Sequence, residues 1–85
     1  MGVGFHVVIV NSGNELKGIH VRVAKATQGR RTVWYLYDIA KGKTVDDASG
    51  KVIGYHSKSL ASRAAAAYCK TQYGNDGRVA VPKFD

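Results

Sequence analysis

Eighty-five residues support one domain with a single core, so residues 1–85 are taken as one unit. A 45% hydrophobic content argues against disorder, no apolar run approaches the roughly 20 residues of a membrane span, and a lone cysteine excludes a disulfide framework. Thirteen Lys and Arg against six Asp and Glu leave a net charge of +7, which directs attention to polyanionic partners.

The opening "MGVGFHVVIV" lacks the positive start and small-residue cleavage site of a secretory leader. With Cys69 as the only thiol, a reducing, cytoplasmic setting and a partner other than a membrane are expected. "FHVVIVN" (5–11) is a nearly continuous apolar run, predicting a strand central in a sheet or buried on both faces. "NSGNE" (11–15) is turn chemistry. In "KGIHVRVAK" (17–25), Ile19, Val21 and Val23 alternate with His20 and Arg22, which predicts a strand with an apolar and a basic face. "ATQGRR" supplies a Gly-containing reversal, and "TVWYLYDIA" (32–40) has the β-branched and aromatic content of a strand. An antiparallel hairpin with Arg30 and Arg31 at its tip follows.

"KGKTVDDASGK" (41–51) is expected to be a polar loop with room for a short edge strand, and "KVIGYH" (51–56) is a further strand candidate. "SKSLASRAAAAYCKTQYGNDG" then changes character. Ser57 or Ser59 can cap a helix start, alanines favour the helix, and Gly74 stands where a left-handed terminator belongs. Helical spacing groups Leu60, Ala61, Ala64, Ala65, Tyr68 and Cys69 on one face, with Lys58, Ser62, Arg63 and Lys70 opposite. "RVAVP" (78–82) is a possible last strand, which Pro82 confines to an edge or an ending. The predicted fold is α+β: an antiparallel sheet of three or four strands with one Ala-rich helix packed on one face.

The open face of such a sheet would carry function. Between Lys17 and Arg31 five cations occur without an acid, and the candidate nucleic-acid contacts are Lys17, His20, Arg22, Lys25, Arg30, Arg31 and Trp34. A β-ribbon is narrow enough for a DNA major groove; Arg binds guanine edges or phosphates through two bonds, and Lys acts as a point charge. Trp34 could stack or pack beside the backbone according to strand register.

Catalytic chemistry finds no support. Asp46 and Asp47 are adjacent and so diverge in an extended chain, Cys69 has no evident base, and "MGVG" lacks the strand and helix of a phosphate-binding loop. His6, His20 and His56 with one Cys make a poor zinc ligand set. No enzyme activity, metal or cofactor is expected.

The stretch "YLYDIA…GKVIGYHSKSLASRAAAAYCKTQYG" resembles the final two strands and helix of the plant ethylene-response DNA-binding domains and their phage relatives, including the arm-binding domains of tyrosine recombinases. Shared are Gly54 and Tyr55 in the last strand, a Ser cap, and alanines leading to Tyr68. The resemblance implies a three-stranded sheet lying in the major groove with the helix behind it, and contacts at Arg22, Lys25, Arg30, Arg31 and Trp34. The expected function is therefore non-enzymatic nucleic-acid binding, DNA ahead of RNA. The rival is a small phage-type inhibitor or adaptor whose basic face meets an acidic or nucleic-acid-binding surface of a protein partner.

Overall fold

The computed structural model describes residues 6–10 and 18–83, with the backbone alone for residues 6–10 and Gln28. Among the described residues five strands form one sheet: β1 His6–Val10, β2 Val21–Gln28, β3 Arg31–Asp38, β4 Lys43–Thr44 and β5 Arg78–Pro82. The only described α-helix, α1, spans Lys58–Tyr73 and is followed by a 3₁₀ turn at Gly74–Asp76. The predicted α+β class holds, with the helix packed against one face of the sheet.

Spatial order across the sheet is β1-β5-β2-β3-β4. β2 and β3 pair antiparallel from Val21↔Asp38 to Gln28↔Arg31, leaving Gly29 and Arg30 as a two-residue turn. Gly29 has φ 63° and no described non-Gly residue has positive φ, the pattern of a type II′ reversal, whose twist suits flanking strands. β4 pairs antiparallel to β3, while β5 runs parallel to both β2 and β1. The sheet is thus mixed rather than wholly antiparallel. A helix between β4 and β5 carries the chain back across the sheet and makes parallel pairing possible.

This topology also moves two strands from their predicted places. The "FHVVIVN" run supplies β1, which is an edge strand and not a central one, because β5 inserts between it and β2. Pro82 sits at the end of β5, where its missing N–H interrupts no further ladder. The "KVIGYH" segment forms two single bridges, Asp46↔Val52 and Trp34↔Tyr55, instead of a ladder. The "NSGNE" turn lies outside the described residues.

Helix α1 starts where sequence chemistry places it. The Ser57 hydroxyl accepts the Leu60 N–H at 3.1 Å, satisfying a donor that the first turn leaves unpaired. Gly74, at φ 71°, ends the helix, its N–H bonding to the Lys70 carbonyl. The buried stripe is Ala61, Ala65, Ala66 and Cys69, with Ala64 and Tyr68 beside it. Leu60, expected inside, is 48% exposed, because one residue of helix turns the face by about 100° away from Ala61.

Small side chains on the stripe bring α1 close to Val21, Val23, Trp34, Leu36, Val79 and Val81, which complete the main core. Close approach extends to the 3₁₀ turn, where a Cβ on Gly77 would fall 2.5 Å from Cys69 Sγ. Ile19 belongs to a separate cluster with Ala80 and Ile39 on the opposite face, and does not continue the Val21–Val23 row. It precedes β2, so strand alternation does not reach it.

Candidate nucleic-acid interface

Strand register fixes which side chains share a face. Val21↔Asp38, Val23↔Leu36 and Lys25↔Trp34 point toward α1. Arg22↔Tyr37, Ala24↔Tyr35 and Ala26↔Val33 alternate with them and so form the open face. Arg31 stands two residues before Val33 and therefore shares that face, at the tip end. Neither β2 nor the open side of β3 carries an acid, since Asp38, the one carboxylate of the hairpin, points to the helix.

The seven predicted contacts are accordingly divided. Arg22, half-buried, lays its guanidinium 5.3 Å from the Tyr37 ring centroid, an aromatic seat that steadies the cation. Arg30 and Arg31 are exposed at the hairpin tip, as predicted. Lys25 is exposed but belongs to the helix-side row, its ammonium 5.6 Å from the Trp34 ring centroid. Lys25 shares the odd-numbered parity of Val21 and Val23, so strand alternation separates it from Arg22. Trp34 is 5% exposed within the core, which leaves its ring no face for a base. Lys17 lies outside the described residues.

His20 is a structural member. Its Nδ1 accepts the Arg78 N–H at 3.1 Å, its own N–H donates to the Arg78 carbonyl at 3.0 Å, and its ring lies 4.7 Å from that of Tyr73. It fastens the entry of β2 to β5 and to the end of α1.

The open face also holds a cleft of about 510 Å³ between the sheet and the segment entering α1. Ala26, Val33 and Tyr35 line it from the sheet, and Val52, Gly54 and His56 from that segment. A Cβ on Gly54 would meet Val33 Cγ1 at 2.6 Å, so the missing side chain lets the segment press against β3. Val52 is 50% exposed at the cleft.

A buried polar site on the other face was not anticipated. Asp38 is fully buried; its Oδ2 accepts the Tyr68 hydroxyl at 2.6 Å, and its Oδ1 accepts the Tyr73 hydroxyl at 2.6 Å and the Lys41 N–H at 2.9 Å. Burial pushes the carboxyl pKa up, but those three hydrogen bonds and the Lys41 charge outweigh it and hold Asp38 below its ordinary range. Burial and the bond to Asp38 raise Tyr68 well above the usual phenol value and push Tyr73 up to about 12. Burial likewise raises Cys69, with Asp38 adding to the effect, so its thiol is an inert core group at neutral pH. The signal in the sequence was an acid ending an apolar strand together with two tyrosines on one helix; only the tertiary contact joins them.

Asp46 and Asp47 order their own loop. Asp46 Oδ1 accepts the Thr44 hydroxyl at 2.8 Å, and Asp47 Oδ1 accepts the Ser49 hydroxyl and the N–H groups of Ser49 and Lys51 at 2.7 to 3.0 Å. Among the described residues no three His, Cys, Asp or Glu side chains gather where they could hold a metal ion, and no helix is long and apolar enough to cross a membrane. Cations elsewhere are not confined to the open face: Arg63 and Lys70 are exposed on α1, and Lys41, Lys43 and Lys51 are exposed around β4. No protein-family model, curated protein or solved structure matches the chain.

Proposed function

We propose that this chain is a non-enzymatic nucleic-acid-binding domain, with DNA as its partner, that uses its open sheet face and hairpin tip. The observation that carries this reading is the acid-free open side of the β2–β3 hairpin, which holds Arg22, Arg31 and, at the turn, Arg30. Phosphate neutralisation by these cations supplies most of the affinity, and cations on the other faces strengthen encounter without setting orientation. The resemblance to sheet-and-helix DNA-binding domains implies the same face. The working contact set is Arg22, Arg30 and Arg31, with Tyr35 and Tyr37 beside them and Lys25 at the flank. Trp34 and His20 serve the fold.

The test is fluorescence anisotropy of labelled DNA with the chain and with Arg22→Ala/Arg31→Ala over a series of salt concentrations. Loss of two phosphate contacts reduces the slope of log affinity against log salt by roughly two. An unchanged slope and affinity would remove the open face from binding. A protein partner that stays bound after nuclease digestion would instead favour the inhibitor or adaptor reading.

A further inference from the structure

We infer that the open-face cleft receives an unpaired nucleobase, so that the form of nucleic acid this domain prefers is single-stranded. The inference rests on the nucleic-acid reading above and specifies the partner within it. Sheet side chains at the cleft are small or flat: Ala26, Val33 and the half-buried Tyr35. Across from them, Gly54 and the half-exposed Val52 keep part of the opposite wall low and apolar, and Thr44, Tyr55 and exposed His56 add polar groups around it. A planar, weakly polar ring with hydrogen-bonding edges matches such a lining, because bases stack on aromatic rings while their edges reach for polar side chains.

Charge selects a nucleotide from among aromatic ligands. Arg31 lies two residues from Val33 on the same face, a strand distance of about 7 Å, and Arg22 lies beyond Tyr35 on the other side. A backbone following β3 therefore meets a cation before and after the cleft with no acid of β2 or β3 between, while the Asp46 carboxylate on the β4 side accepts the hydroxyl of cleft-lining Thr44 at 2.8 Å. A neutral ligand gains nothing from those arginines. A paired duplex brings phosphates to them but keeps its bases stacked and out of the cleft, whereas a single strand satisfies both features together.

The experiment compares three labelled ligands at one salt concentration: a pyrimidine single strand, its duplex, and the same strand with abasic residues replacing a central run. Abasic residues keep every phosphate and remove the rings. The intact strand is expected to bind about tenfold or more tightly than either of the others, and Tyr35→Ala to narrow that gap while leaving the salt slope unchanged. Equal affinity for the intact and abasic strands, or tighter binding of the duplex, overturns the cleft assignment and leaves the polyanion reading standing. Failure of all three ligands to bind removes both. If Tyr35→Ala does not fold, as judged by circular dichroism, the abasic comparison with the unaltered chain decides.

Discussion

The Tyr73 hydroxyl donates to Asp38 Oδ1 at 2.6 Å, joining the last residue of α1 to the last residue of β3. The Tyr68 hydroxyl reaches the other carboxylate oxygen from five residues earlier in the helix. The two bonds fix the axial position of the helix, which alanine packing alone would leave free to slide, since its buried stripe is nearly uniform in size.

Tyr68→Phe removes one hydrogen bond to a buried charge and is expected to lower stability by about 1 to 3 kcal/mol, read as a shift in urea midpoint. The same exchange at Tyr73, which is closer to solvent, falls toward the lower end of that range. Asp38→Ala costs more than either, because it strands both hydroxyls and the Lys41 N–H together.

The same cluster sets the pH range of stability. Asp38 has a lower pKa folded than its ordinary 3.8, so its contribution is present above that value and fades as pH falls through the folded one. Tyr73 is raised from 10.0 to about 12, so its contribution is complete below 10.0 and is lost as pH rises through the folded value. Tyr68 acts in the same direction. Urea midpoints measured against pH should show a plateau between these limits. In Tyr68→Phe/Tyr73→Phe the loss on the alkaline side should weaken.

Gly77→Ala should destabilise the fold by about 1 to 3 kcal/mol, since its Cβ would be driven against Cys69 Sγ. Adding Cys69→Ala recovers part of that loss and not all of it, because the Cys69 and Gly74 carbonyl oxygens remain 3.1 and 3.3 Å from the new methyl group. A double-mutant cycle on thermal or urea unfolding measures the coupling.

On the functional side, Arg63→Ala on the exposed flank of α1 should leave DNA affinity and salt slope close to those of the unaltered chain, whereas Arg31→Ala weakens both. Equal losses from the two substitutions in an anisotropy titration would mean that charge acts through the whole molecule and no face is distinguished.

Local chemistry made much of this fold legible. A Ser cap and a glycine terminator bracket the helix at Ser57 and Gly74, and a Gly-Arg reversal ends the hairpin, because capping and turn conformation are decided within a few residues. Alternation likewise identifies Val21 and Val23 as the inward row of β2, and Lys25 falls on the opposite side from Arg22 by parity. β3 is apolar on both alternate sets, so its inward row is fixed only by pairing.

Composition and residue pattern by themselves determined a basic α+β chain with an alanine-lined helix. Only the tertiary structure decided that β5 enters beside β2, that Trp34 is spent on the core, and that Asp38 meets Tyr68 and Tyr73 across 30 and 35 residues. Backbone propensity and strand alternation are short-range, whereas strand order and the pairing of a buried charge depend on which distant surfaces exclude water together, and no window of neighbouring residues contains that information.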